Sequence, residues 1–297
     1  MLDKNEKVVI ALGYFDSVHL GHKKVIENLK RQADLLDAKT VVFTFKGNLR
    51  AILLNENEKQ VYNERERESL IFDLGVDEIY FAPANDAFLS MSKLAFLNFI
   101  NRKYNVVGYV CGEDYRFGKF GKGDVEYLKK YASEHSQTLT VVETENYNKI
   151  KISTTNIKKK LSVGDIKGAN AFLGRAYSIT GKVFKDRMVG RKIGFPTVNI
   201  KIEKEKQPLK NGVYAGHLFL DGKFYKVVIN YGARPTYSLE EKLIETHIIG
   251  FTGELYEKEI TVFFDEFLRE IKKFNSEDEL INQLNIDVEL AKGKIYD

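Results

Sequence analysis

The sequence is poor in the features that mark secreted, membrane-bound or metal-stapled proteins. Of its 297 residues only Cys111 is a cysteine, which excludes an intramolecular disulfide and a thiolate zinc cluster. No apolar run approaches the ~18 residues that cross a bilayer as a helix. There is no Trp, so aromatic contact with a flat ligand falls to the 16 Tyr and 20 Phe. Neither charge sign dominates: 46 basic and 42 acidic residues leave a net charge of +4, interleaved along the chain. Internal repeats and low-complexity tracts are missing too.

What is present fits an ordinary soluble chain. Hydrophobic residues make up 43% and charged residues 30%, which rules out global disorder. At ~150 residues per domain the length suggests two domains. The opening Met1-Leu2-Asp3-Lys4-Asn5-Glu6-Lys7 leads directly into a strand-like run, unlike a signal peptide, so a cytoplasmic setting with no membrane partner is expected. Lys158-Lys159-Lys160 is the one basic triplet of note. A solvated helix face explains it better than a nucleic-acid patch, and no nucleic-acid partner is expected. Mild basicity also suits anionic phosphate ligands without selecting among them. Nothing in the sequence selects an oligomeric state.

The first half alternates strand and helix. Val8-Val9-Ile10-Ala11-Leu12 is a short continuous apolar run, as in a strand buried on both faces. Val25, Ile26, Leu29, Ala33 and Leu36 then recur at the spacing of one helix face. Further strands are predicted at 40–45, 78–81, 106–111 and 139–142, with helices at 64–74, 94–100 and 125–131 between them. Such alternation implies a parallel sheet covered by helices on both faces. Ligands of such folds sit beyond the carboxyl ends of the strands, here the loops after Leu12 and Cys111.

From about Tyr177 the texture changes. Strands at 213–220 and 223–230 flank Asp221-Gly222, a tight hairpin turn. Strands follow at 246–251 and 260–264. Ser276 with Glu279 reads as a capping box for a last helix presenting Leu280, Leu284 and Val288 on one face. Strands in series with a terminal helix suggest a small antiparallel barrel. The expected division is 1–160, a helical connector at 161–176, and 177–297.

Two strings carry chemistry. The first is Gly13-Tyr14-Phe15-Asp16-Ser17-Val18-His19-Leu20-Gly21-His22. His19 and His22 stand one helical turn apart at a helix start, where free N–H groups and the positive dipole end favour an anion. Two imidazoles would add donors around an α-phosphate under attack, and Gly21 would let the backbone approach it. Padding or capping of the helix, or half of a zinc site, are the other readings of the pair. The second string is Gly190-Arg191-Lys192-Ile193-Gly194-Phe195-Pro196-Thr197-Val198-Asn199-Ile200. There Thr197 could present a hydroxyl to Mg²⁺, with the Asn199 amide beside it and Arg191 and Lys192 near phosphates. As bare chemistry, such a loop is more often structural than catalytic.

The chain resembles the bacterial bifunctional riboflavin kinase/FAD synthetases. His-x-Gly-His after the first strand is the signature of the nucleotidyltransferase superfamily. Gly112-Glu113-Asp114-Tyr115-Arg116-Phe117-Gly118 resembles the family's glycine loop, and Ile152-Ser153-Thr154-Thr155-Asn156-Ile157-Lys158 its hydroxyl motif for the ATP triphosphate. The 190–200 string matches its kinase nucleotide motif at nearly every position. Gly232-Ala233-Arg234-Pro235-Thr236, Glu245-Thr246-His247-Ile248-Ile249, Leu268-Arg269 and Lys273-Phe274 follow in family order. The departures are Ser17 for a usual Gly, Lys46-Gly47-Asn48-Leu49 for Pro-His-Pro, Lys122 near the place of an Arg, Lys158 for an Arg, and Gly250 for a common Asp.

The resemblance implies a Rossmann-like nucleotidyltransferase domain followed by a riboflavin kinase-like barrel. It implies phosphorylation of riboflavin to FMN and adenylylation of FMN to FAD, with ATP as co-substrate and Mg²⁺ as metal. A kinase-only enzyme and a non-catalytic flavin-binding regulator are the alternatives; a nicotinamide dehydrogenase fits poorly, since the first loop lacks Gly-x-Gly-x-x-Gly. The implied catalytic residues are Glu245 as base, His19 and His22. Gly13, Phe15, Gly21, Ser153, Thr154 and Lys158 would hold ATP in the first half, and Gly190, Arg191, Lys192, Thr197 and Asn199 in the second. Asp114, Phe117 and Arg269 would contact flavin, and Thr197 the metal. His247 and Cys111 are expected to be structural.

Overall fold

The computed structural model describes residues 2–54, 57–185, 190, 193–233 and 242–293. The chain divides into two compact units, Met1–Asn156 and Ile157–Asp297. Among the described residues no helix is long and apolar enough to cross a membrane.

The first unit is an α/β layer structure. Its strands are β1 (Lys7–Leu12), β2 (Lys39–Phe45), β3 (Glu78–Ala82), β4 (Asn105–Gly112) and β5 (Thr138–Val142). Between them run α1 (Leu20–Leu36), α2 (Leu49–Leu54), α3 (Glu64–Phe72), α4 (Asp86–Leu89), α5 (Lys93–Lys103) and α6 (Val125–Glu134). The sheet order is β3-β2-β1-β4-β5, with every pairing parallel. This is the predicted parallel sheet, and the continuous apolar run of β1 explains itself. Val8, Ile10 and Leu12 enter the core on one face, Val9 and Ala11 the core on the other. The chain builds outward from β1 through β2 to β3, then resumes on the other flank of β1 at β4. The carboxyl ends of β1 and β4 therefore border the switch-point crevice. A two-stranded ribbon, β6 (Asn146–Tyr147) with β7 (Ile150–Lys151), precedes α7 (Thr154–Val163).

The second unit is built on a closed barrel of β8 (Tyr177–Phe184), β9 (Thr197–Lys201), β10 (Gly212–Leu220), β11 (Lys223–Ala233), β12 (Lys242–Ile248) and β13 (Glu259–Arg269), followed by α9 (Glu277–Lys292). The strand order is β10-β11-β12-β9-β8-β13, antiparallel throughout. Asp221 and Gly222 take φ +49° and +80°, the two positive angles that let Leu220 pair with Lys223 across a two-residue turn. α8 (Ile166–Leu173) is pinned by Asn170, whose amide donates to the Phe264 carbonyl at 2.9 Å and accepts from the Tyr177 N–H at 2.8 Å.

Two local expectations differ from the structure. The strand expected at 246–251 is Lys242–Ile248, because Gly250 at φ +74° turns the chain. The capping box is half formed: Ser276 Oγ accepts the Glu279 N–H at 3.2 Å, but the Glu279 carboxylate accepts from the Asn275 N–H at 2.9 Å. A complete capping box instead starts α3, where Asn63 and Glu66 exchange side-chain and backbone bonds.

Cys111 closes β4 with no exposed surface, and burial pushes its thiol up to about 12. The thiol is therefore neutral at neutral pH and shielded from attack. In a thiol-labelling assay at pH 8 the native protein is expected to react at least about 100-fold more slowly than the urea-unfolded chain, since the thiolate is the nucleophile.

Candidate functional site

In the first unit the loop Gly13–Val18 leaves β1 under strain. Phe15 and Val18 hold φ of +51° and +43°, and both are buried. A β-branched residue in that region is an outlier that its surroundings must hold in place. The clamps are polar. Buried Asp16 accepts the Val61 N–H at 3.0 Å, and Ser17 Oγ lies 2.9 Å from Thr154 Oγ1 at the start of α7. The Ser17 position, a departure from the family's usual glycine, is thus used to fasten the loop to a second helix start.

The loop delivers the two histidines together. His19 is the N-cap of α1, its Nδ1 accepting the His22 N–H at 3.2 Å, so the proton of the neutral ring sits on Nε2. The rings stack with centroids 3.8 Å apart and planes within 8°. Capping and ligand presentation are therefore both open to His19. A Cβ on Gly21 would lie 3.1 Å from the His19 ring, so this glycine makes room for the imidazole. Among the described residues no group of three His, Cys, Asp or Glu could hold a metal ion.

These residues line a cavity of about 340 Å³ whose walls include Gly13, Tyr14, Phe15, His19, Gly21, His22, Asp114 and Ser153. Ser153 Oγ caps α7 by accepting the Asn156 N–H at 3.3 Å. Two helix starts, α1 and α7, therefore meet one cavity in this unit. Thr154 adjoins it through Ser17. Lys158 lies one turn further along α7, among the residues of the second unit.

Several rim charges are paired. Asp114 bridges Lys151 at 2.8 Å and Arg116 bridges Asp124 at 3.3 Å, while Lys24 pairs with Glu145. The Thr144 hydroxyl and N–H hold the Glu113 carboxyl below its usual range. Burial, and then the charge of Asp16, push the Tyr14 hydroxyl well above its usual range. It stays protonated and donates to the Gly47 carbonyl at 3.2 Å.

Phe117 is placed elsewhere than its neighbours in the glycine loop. It is buried against Phe96, Tyr115 and Tyr127, and the cavity wall is formed by Tyr115 and Arg116 instead.

In the second unit the barrel register gathers the other set. Asn230 pairs with Glu245 across β11–β12, Glu245 with Asn199 across β12–β9, and His247 with Thr197 two residues along. Directly opposed residues share a face. One face therefore carries Asn230, Glu245 and Asn199 in a row, with Thr197 and His247 beside them. Thr246 points the other way and is fully buried. The Asn230 amide donates to Glu245 Oε2 at 3.5 Å. His247 Nδ1 lies 2.8 Å from the Pro196 carbonyl and its ring meets Phe195 edge-on, so it props the loop that enters β9. Gly190 closes that loop by accepting the Phe195 N–H at 2.8 Å, and a Cβ there would sit 2.2 Å from the Phe195 carbonyl oxygen. Arg191 and Lys192, and Arg234, Pro235 and Thr236, lie outside the described residues.

Arg269 lies further along the same row, opposite Val213, which is itself opposite Asn230, but its guanidinium is engaged by a carboxylate. Its Nε and Nη2 meet the Asp287 carboxylate at 2.9 and 2.6 Å, and Nη1 donates to the Glu270 carbonyl at 3.0 Å. Asp287, on α9, is fully buried. The guanidinium thus ties the last helix to β13, a task its sequence neighbours gave no sign of.

Comparison with known proteins yields two family models, "FAD synthetase" over residues 2–156 and "Riboflavin kinase" over residues 173–295. A "Bifunctional riboflavin kinase/FMN adenylyltransferase" of Buchnera aphidicola subsp. Schizaphis graminum is 34% identical, covering 97% of this chain and 94% of that protein. A protein of the same description from Listeria monocytogenes is 34% identical over 94% of this chain and 90% of its own length. A solved Streptococcus pneumoniae structure named "Macrolide-efflux Protein" is 28% identical, with a TM-score of 0.89 over 99% of this chain and 96% of that one.

Breaking a buried ion pair from one side leaves an unmatched charge, at a cost of about 3–5 kcal/mol. Arg269→Met is therefore expected to lower the urea midpoint of the second unit followed by circular dichroism, and Arg269→Met with Asp287→Leu to recover part of the loss.

Proposed function

We propose a division of labour that proceeds from one premise: this chain belongs to the bifunctional riboflavin kinase/FMN adenylyltransferase family. It is an ATP-dependent transferase of FAD biosynthesis that converts riboflavin to FMN and FMN to FAD. In our reading residues 1–160 carry adenylyl transfer, 161–176 connect, and 177–297 carry the kinase, in a cytoplasmic protein.

The kinase step has a neutral nucleophile. The terminal hydroxyl of the ribityl chain attacks the γ-phosphorus of ATP, the bond to the β-phosphate oxygen breaks, and ADP leaves. The hydroxyl proton needs an acceptor, and Glu245 is the carboxylate on the shared barrel face. Asn230 orients it. Thr197 and Asn199 offer hydroxyl and amide oxygens beside it, a hard-donor set that suits Mg²⁺. When bound, Mg²⁺ would spread the charge of the transferring group.

The adenylyl step has an anionic nucleophile and needs no base. A phosphate oxygen of FMN attacks the α-phosphorus, and pyrophosphate leaves. The requirement is to hold anions together, which His19, His22 and the helix starts at Gly21 and Ser153 suit. Thr154 and Lys158 extend that set along α7. Asp114 would face flavin at the rim; Phe117, buried beside Tyr115, and Arg269, paired with Asp287, are the other two residues we read as flavin contacts. The single observation that carries the reading is the placement of His19, His22, Gly21 and Ser153 on one cavity at the end of β1.

Two substitutions separate the sites. With Mg-ATP and riboflavin, Glu245→Gln is expected to slow FMN formation about 10²- to 10⁴-fold, the usual worth of a general base. FAD formation from supplied FMN stays within about twofold; equal loss of both would contradict separate sites. His22→Ala is expected to do the reverse, slowing FAD formation about 10²- to 10³-fold, as for removal of one preorganised donor. Flavins resolved by chromatography give both readings.

A further inference from the structure

Arg67 is a fully buried arginine on α3 whose guanidinium binds backbone rather than a carboxylate in the described contacts. Nη1 donates to the Tyr14 carbonyl at 3.2 Å, and Nη2 to the Phe45 carbonyl at 3.0 Å and the Gly47 carbonyl at 3.4 Å. The group also lies 5.3 Å from the Tyr14 ring centroid and 5.6 Å from that of Phe81. Tyr14 belongs to the loop after β1, and Phe45 and Gly47 to the segment leaving β2. The Tyr14 hydroxyl then joins the same two segments a second time, donating to Gly47 and accepting the Leu49 N–H at 3.2 Å.

Three of these residues, Tyr14, Phe45 and Leu49, line the cavity. Arg67 itself does not. It acts behind the wall, fixing the distance between the two lips that flank the end of β1. Burial opposes its charged form and prevails in direction, while Tyr14, Asp16 and Glu64 favour that form. Fixed guanidinium geometry matters here, since one planar fork reaches carbonyls on both lips at once. A buried charge is costly to keep, and each carbonyl it serves would be costly to strand.

From this we infer that Arg67 is a positioning residue for adenylyl transfer, setting the spacing of the Tyr14 and Phe45–Leu49 lips that hold substrates in line. The inference rests on the assignment of that reaction to this cavity. Reacting atoms displaced by about 1 Å lose roughly 100-fold in rate, so the effect is read in turnover.

The test uses the full chain, with riboflavin phosphorylation as the internal control. In Arg67→Met, kcat for FAD formation from FMN, per folded molecule by near-ultraviolet circular dichroism, is expected to fall about 100-fold, with KM for FMN changing less than about fivefold. Riboflavin phosphorylation stays within about twofold of the parent. Arg67→Lys, a cation that reaches fewer carbonyls, recovers about tenfold of the loss. Tyr14→Phe, which keeps the ring and deletes only the hydroxyl bridge, lowers kcat about five- to tenfold, as for one lost hydrogen bond. Adenylyl transfer within about threefold of the parent in both Arg67→Met and Tyr14→Phe overturns the inference. So does a loss in Arg67→Met that vanishes when scaled to the folded fraction. A parent chain that makes no FAD from FMN defeats the underlying assignment instead, a result visible before any variant is made.

Discussion

The first site depends on β1 being held between β2 and β4. Parallel pairing on both flanks buries Val8 to Leu12 completely and leaves the strand one exit, at its carboxyl end. The helix that follows must cross back over the sheet, so its N-terminus is aimed at the point where the strand exits. The helix-start N–H groups and dipole of α1 supply anion-binding polarity there, with the His22 N–H capped by His19. What the side chains contribute is the shape of the connection. Phe15 and Val18 in left-handed conformations cost of the order of 1–3 kcal/mol each, and the loop keeps them only because Asp16, Ser17 and the Tyr14 carbonyl are each tied to a different segment.

The barrel solves a different problem with a different constraint. Its row of residues comes from β9, β11 and β12; β9 is distant in sequence from the other two, and strand register brings all three into line. The side-chain period of a strand is two, so a slip of one residue between β9 and β12 would send Asn199 and Thr197 to the face that Thr246 occupies. Closure of the barrel prevents the slip, and the Arg269–Asp287 pair and the Asn170 bonds fasten the flanking helices to it.

How far the sequence could be read follows the range of the interactions. Periodicities set by nearest neighbours were legible: the apolar run of β1, the Asp221-Gly222 turn, the strand series of the second half. So were strings whose members act together, such as His19 to His22 and Thr197 to Asn199. Side-chain direction was not legible where distant partners decide it. Phe117 and Arg269 sit in strings that suggest ligand contact, yet one is taken up by an aromatic core and the other by a carboxylate 18 residues later. Arg67 was hidden for the opposite reason. Within Glu64-Arg65-Glu66-Arg67-Glu68 it looks like one charge of a solvated helix face, and only the fold reveals that its turn of α3 faces inward.

The two units surround their carboxylates differently. Under the proposed assignment, a carboxylate near the first-unit cavity would repel the two anions that must meet there, unless a cation masked it. Two of the acids in its lining are so matched, Asp114 by Lys151 and Glu145 by Lys24. On the barrel face the Asn230 amide donates to Glu245, and a donor of fixed direction orients the carboxylate. Under the proposed division of labour, cations beside the rim acids serve the site whose nucleophile is already anionic, and an oriented carboxylate in the barrel row serves the one whose nucleophile must lose a proton.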